Sequence, residues 1–196
     1  ESRGVELFAI GVEYERTMQR ETEWRSVIAA VRAVYSGRIT YAANWDGLAA
    51  VPFWDAVDVI GVHAYFPLSA APTPDREALE RGWDEPLRAL AELSARFGKP
   101  VVFAEIGYNR ARDAASRPWS HGTDDSPANR ALRQTLMEVA LERVEREPWV
   151  LGMFWWKWMP GARDGRDFSL KEPEARAALS RYWAATTPPP ARVSAD

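Results

Sequence analysis

Residues 100–108 read PVVFAEIGY, an apolar run that closes on a carboxylate, Glu105. Continuous rather than alternating hydrophobicity suits a strand buried on both faces of a parallel sheet. Charged side chains are almost never fully buried without a partner or a role, so a glutamate ending such a strand is informative. Four other stretches share this character: 6–13 (ELFAIGVE), 38–45 (RITYAANW), 57–65 (VDVIGVHAY) and 150–158 (VLGMFWWKW). Helical patterns lie between them. Residues 22–35 set Trp24, Val27, Ile28, Val31 and Val34 on one face, behind a Thr22 N-cap and ahead of a Gly37 stop. Residues 75–97 carry Leu79, Trp83, Leu87, Leu90 and Leu93 at helical spacing, which predicts one long helix ending at Gly98 with Trp83 in the core. Ser126-Pro127 opens a helix to about Arg146, and 172–185 reads as the last one. The 46–55 link has room for only a turn or two of helix.

Strict alternation of strand and helix predicts parallel strands joined by right-handed crossovers, either a doubly wound sheet or a (β/α)8 barrel. No strand is followed by the GxGxxG fingerprint of a dinucleotide-binding unit. The strands instead end in polar or aromatic residues: Glu13, Asn44-Trp45, His63-Ala64-Tyr65, Glu105 and Trp155-Trp156. Barrel enzymes place their chemistry at that end of every strand. Five strands do not close a barrel, and an open sheet would leave exposed edges. The expected fold is therefore α/β, a partial (β/α)8 TIM barrel whose first three strands precede Glu1. Residues 1–186 would form the C-terminal part of a catalytic domain, and 187–196, with its three prolines, a tail.

Composition narrows the chemistry. Cysteine is absent and only His63 and His121 supply imidazole, so thiolate nucleophiles, disulfide frameworks and metal sites built on several histidines are excluded. The net charge of −3 gives no bulk electrostatic support for nucleic-acid binding, and no apolar run is long enough to span a membrane. The first residue is not methionine and no signal segment follows, so the compartment is not legible. Ten tryptophans are many for 196 residues, and stacking on flat ligands is one use for them.

Glu13 and Glu105 are 92 residues apart, about three βα units at roughly 30 residues each. That places them on the first and fourth strands, facing across a barrel mouth. Two facing carboxylates are what glycoside hydrolysis needs, one to protonate the leaving oxygen and one to attack the anomeric carbon or activate water. The alternative is a pair of glutamates capping arginines or loop amides. Glu15 competes with Glu13, which is preferred because it directly closes the apolar run. His63 and Tyr65 share one face, from which the tyrosine hydroxyl could hold a nucleophilic carboxylate ionised and oriented. In FWWKW, alternation lets only one parity of Trp155, Trp156 and Trp158 face a cavity, where indole suits the C–H face of a sugar. Asn44 and Trp45 could add a hydroxyl-directed hydrogen bond and a second stacking surface. The long loops 66–73, 109–125 and 159–171 would shape the cleft, with Trp119 and His121 at its rim.

Taken together, FAIGVE, WRSVIAAVRAVYSGRITYAANW, FWDAVDVIGVHAYFPL, GKPVVFAEIGY and GMFWWKW resemble, in order and spacing, glycoside hydrolase family 113, the β-mannanase-type enzymes of the large retaining (β/α)8 clan. The resemblance covers residues 5–160. It implies that Glu13 ends barrel strand four as general acid/base and that Glu105 ends strand seven as nucleophile. Tyr65 of strand six would hydrogen-bond the nucleophile and Trp156 of strand eight would floor the sugar. Beside what the resemblance implies, Asn44, Trp45, His63 and Trp158 are expected as substrate contacts from their places at the strand ends. The implied activity is retaining hydrolysis of β-1,4-mannosidic bonds in a polysaccharide or oligosaccharide, with no cofactor and no metal. Many clan relatives have asparagine just before the acid/base, to bind the sugar 2-hydroxyl; here the residue is Val12. That departure leaves two other readings open, a carbohydrate-binding pseudoenzyme and a clan hydrolase acting on a different β-glycan.

Overall fold

The computed structural model describes residues 4–122, 124, 126–161 and 168–186. Five strands, β1 (Leu7–Val12), β2 (Arg38–Asn44), β3 (Val59–His63), β4 (Val101–Ile106) and β5 (Val150–Trp155), form one sheet in sequential order, every pair parallel. The returning segments carry α1 (Glu21–Arg32), α2 (Arg76–Gly82), α3 (Asp84–Phe97) and α4 (Pro127–Glu145), and α5 (Pro173–Thr186) follows β5. Short 3₁₀ turns occupy Glu15–Thr17, Leu48–Ala50 and Trp54–Ala56. Parallel strands in chain order with helical returns make part of a (β/α)8 barrel, with five βα units present. β1 and β5 form the two margins of the sheet, each with one neighbouring strand, and Phe8 and Phe154 on them are exposed. The proposed tail at 187–196 lies outside the described residues.

The helices form largely where the apolar spacing predicts, with two corrections. Thr22 is not an N-cap. Helix α1 starts at Glu21, its first turn closed by the Trp24 amide donating to the Arg20 carbonyl, and no side chain caps it. Residues 18–20 join the preceding 3₁₀ turn to the helix, and the Trp24 indole ties back to the Thr17 carbonyl at 3.1 Å. The single helix expected over 75–97 is two. Pro86 has no amide hydrogen and its ring would collide with the carbonyl four residues back, at Gly82, so the helix cannot run through. α2 ends at Gly82 and α3 starts again at Asp84. Asp75 caps α2 by accepting from the Ala78 amide at 2.7 Å, and left-handed Gly98 (φ 63°) terminates α3.

β3 is the middle of the sheet and is buried along its whole length. Gly61 sits where β2 approaches most closely: a Cβ there would lie 2.6 Å from the Tyr41 carbonyl oxygen. Aromatic rings fill the layer between strands and helices. Trp24, Tyr41, Phe53 and Trp54 form one cluster, and Phe66, Trp83 and Phe103 form another, in which Trp83 lies parallel to Phe103 at 6.1 Å. Each fully buried ring contributes about 1.5–3 kcal/mol relative to exposure, so these clusters fix the strands that carry the polar ends. The registers break at those ends, between Ala9 and Val12, Val62 and His63, and Phe103 and Ile106. Bulges there re-aim side chains, and each lies beside a glutamate or histidine of the site. No helix among the described residues is long and apolar enough to cross a membrane.

Candidate active site

Glu13 is the first residue beyond β1 and adopts φ 55°, in the left-handed region that non-glycine residues seldom visit. Its amide still donates to the Ala42 carbonyl at 3.0 Å, so the strand pairing survives the turn while the side chain leaves the sheet pleat. Its carboxylate meets Nδ1 of His63 at 2.6 Å. His63 ends β3 and is 3% exposed, and its Nε2 lies 3.7 Å from Oε1 of Glu105. One imidazole thus stands between the two carboxylates. Tyr65, two residues on, donates its hydroxyl to Oε2 of Glu105 at 2.9 Å. Burial first, then the neighbouring Glu105 charge and the hydrogen bond to it, push the Tyr65 hydroxyl far above the ordinary phenol range.

These groups open into one cleft of about 770 Å³. Its lining includes Val12, Glu13, Glu15, Asn44, Trp45, His63, Tyr65, Glu105, Trp119, His121, Trp156, Lys157 and Phe168. On the β1–β2 side, Asn44 at the end of β2 donates its amide to Glu15, the first residue of the 3₁₀ turn. Trp45 stacks on Trp119 with ring centroids 5.6 Å apart and meets Phe66 edge-on. On the β5 side, Trp156 follows the last strand residue, its amide bonded to the Ile106 carbonyl at 2.8 Å. The Lys157 ammonium lies 4.6 Å from its ring centroid. Phe168 stands edge-on to Tyr65 at 6.2 Å and to His121 at 5.7 Å. It is fixed by exchange of backbone hydrogen bonds between Lys157 and the 168–170 segment, and by the buried Arg133 guanidinium donating to the Ser169 carbonyl at 2.9 Å.

The cleft therefore gathers Glu13, Asn44, Trp45, His63, Tyr65, Glu105 and Trp156. Trp158 is not part of its lining; it is 60% exposed, with the Lys171 ammonium 5.8 Å from its ring centroid. Trp155 packs against the core, 6.5 Å from Tyr108, which leaves Trp156 as the indole of FWWKW that faces the carboxylates. Three features escape the sequence. Phe168 and Lys157 line the cleft although nothing in their local pattern singles them out. His63 joins the two glutamates, a role that its position on the same strand end as Tyr65 could have suggested. The left-handed turn at Glu13 has no glycine or asparagine to announce it. Among the described residues no group of three or more His, Asp or Glu side chains is arranged to hold a metal ion.

The chain is similar to solved β-mannanases. A GH113 β-1,4-mannanase solved as a complex superposes with a TM-score of 0.77 at 26% identity, covering 94% of this chain and 58% of that one. The GH113 β-mannanase AaManA from Alicyclobacillus acidocaldarius gives 0.74 at 26% identity, covering 94% and 57%. The chain thus spans somewhat over half the length of these enzymes. The β-glucuronidase of Ruminococcus gnavus shares the fold at a TM-score of 0.64 and 16% identity, covering 91% of this chain and 32% of its own. No curated protein sequence matches. The sequence model of Glycoside Hydrolase Family 113 matches residues 1–171, spanning every strand and both glutamates. The chain belongs to glycoside hydrolase family 113.

Proposed function

We propose that the protein cleaves β-1,4-mannosidic bonds with retention of configuration, with Glu105 as nucleophile and Glu13 as general acid/base. The observation that carries this reading is the Glu13–His63–Glu105–Tyr65 chain inside one open cleft. The preference for mannan rests on the likeness to the two β-1,4-mannanases and on family membership.

The contacts divide the four carboxylate oxygens by task. Tyr65 holds Oε2 of Glu105, which leaves Oε1 to attack the anomeric carbon. His63 holds Oε1 of Glu13, which leaves Oε2 to deliver a proton to the departing glycosidic oxygen. Attack forms an ester between Glu105 and the sugar while the C–O bond to the leaving group breaks. Glu13, now ionised, takes a proton from water as that water attacks the ester, and both glutamates return to their starting states. His63 suits both halves of the cycle. When Glu13 carries its proton on Oε2, Nδ1–H donates to Oε1, so the acidic proton stays on the oxygen left for the leaving group. When Glu13 is ionised, Nδ1–H donates to it. Glu15 is the weaker candidate for acid/base because the His63 ring that lies beside Glu105 bonds Glu13, whereas Glu15 pairs with the Asn44 amide.

Glu105→Gln in the full-length protein should abolish release of reducing sugar from mannan while the fold, read by circular dichroism, persists. Retained turnover would overturn the assignment of Glu105. Wild-type activity on a glucan with none on mannan would overturn the choice of sugar alone.

A further inference from the structure

Trp45 and Trp119 form a feature that the catalytic pair does not use. Trp119 comes from the long β4–α4 connection, yet it stacks face to face (28° between planes) on Trp45 at the end of β2. Trp45 is seated edge-on against buried Phe66, Phe66 against Trp83, and Trp83 against Phe103 of β4. A column of five rings therefore runs from the strand core to the cleft rim. Its outermost member, Trp119, is 42% exposed. An indole left open at a rim while anchored through four others costs apolar hydration and has little freedom to lose on binding, the property expected of a preformed stacking surface.

The position of this platform gives it a direction. Trp45 and Asn44 lie at the end of β2, next to Glu13 and its neighbour Glu15, whereas Trp156 lies beyond β4, on the Glu105 side. A general acid must reach the oxygen that stays with the leaving sugar, and the nucleophile must reach the anomeric carbon of the sugar that is retained. Sugars on the Glu13 side of the cleft therefore belong to the leaving group. We infer that Trp119, braced by Trp45, is the platform for the leaving-group sugar of a β-linked chain. The Glu15–Asn44 pair beside it offers a carboxylate and an amide to that sugar's hydroxyls. This inference rests on the catalytic roles proposed for Glu13 and Glu105.

The test compares Trp119→Ala with the wild-type full-length protein on two probes. Mannotetraose places sugars on both sides of the cut. 2-Deoxy-2-fluoro-β-mannosyl fluoride loads the nucleophile with no leaving-group sugar at all. The variant should lose about fivefold to tenfold in kcat/KM on mannotetraose relative to its own inactivation rate by the fluoride, the size of one aromatic stacking contact. Trp119→Phe should recover part of that loss. Equal losses on both probes, or no loss on mannotetraose, would overturn the inference. If wild-type protein hydrolyses neither mannotetraose nor reacts with the fluoride, the catalytic reading itself fails, a distinct outcome.

Discussion

Removing the Tyr65 hydroxyl, as in Tyr65→Phe, separates the two chemical steps. The hydroxyl donates to Glu105 Oε2 at 2.9 Å in a site where Tyr65 is 8% exposed. A hydrogen bond to an ionised group contributes about 1.5–3 kcal/mol, and a tenfold change in rate is about 1.4 kcal/mol. In the proposed mechanism Glu105 loses charge when it attacks and regains it when it departs, so the bond would favour the second step over the first. Only part of the charge is restored at the transition state, which gives an expected slowing of deglycosylation of about tenfold to fiftyfold. Formation of the glycosyl-enzyme should be little affected, provided that Phe168 still packs edge-on against the ring. The variant should then accumulate glycosyl-enzyme. With 2,4-dinitrophenyl β-mannobioside, rapid mixing should show a burst of dinitrophenolate equal to the enzyme concentration, with kcat and KM falling together. A parallel fall of kcat and kcat/KM with no burst would refute this reasoning, because Tyr65 would then be acting in the attack and not in the departure.

Glu13→Ala should lose about a hundredfold or more on mannan, the usual weight of a general acid/base, yet still react with dinitrophenyl substrates that need no protonation; added azide should restore turnover and give β-mannosyl azide. Gly61→Ala should lower stability by about 1–3 kcal/mol, read as a fall in denaturation midpoint, because the new methyl meets the Tyr41 carbonyl oxygen 2.6 Å away. Asp58 provides a pH test of the fold. Burial alone would raise its carboxyl, but the Arg32 hydrogen bond, the Ile39 amide and the Arg32 and Lys99 charges together hold it below the ordinary value. Its contribution is therefore present above the unfolded-state value of about 4 and is lost as pH falls through the lower folded-state value. Asp58→Asn should be less stable than wild type near neutrality, and the gap should narrow below about pH 4.

The sheet was legible because each strand is a continuous apolar run, a pattern that in a parallel sheet survives without alternation. Both glutamates were legible for the converse reason, as charges closing strands that otherwise carry none. The split between α2 and α3 was also written in the chain, at Pro86, but the leucine spacing of 75–97 overrode it. Where two strand ends meet was not legible. His63 comes close to both Glu13 and Glu105 where the strand registers break, at Ala9–Val12, Val62–His63 and Phe103–Ile106, and no local sequence pattern announces those breaks. Phe168 is a related case. It reaches the cleft because Arg133, Lys157 and Leu170 hold its backbone, and those partners lie up to 35 positions away. Trp158 shows the reverse. Membership of an aromatic run marked it as a sugar contact, although the cleft lining takes Trp156 and Lys157 from that run and Trp158 is exposed.

The most direct test of the account is to identify the residue that becomes bonded to sugar. The full-length protein treated with 2-deoxy-2-fluoro-β-mannosyl fluoride, digested and sequenced by mass spectrometry should carry the fluorosugar on Glu105, within the peptide that contains VVFAEIGY. A label on Glu13, Glu15 or any other residue would contradict the assignment of roles in this cleft. Complete resistance to labelling in a protein that still cleaves mannan would contradict a covalent mechanism altogether.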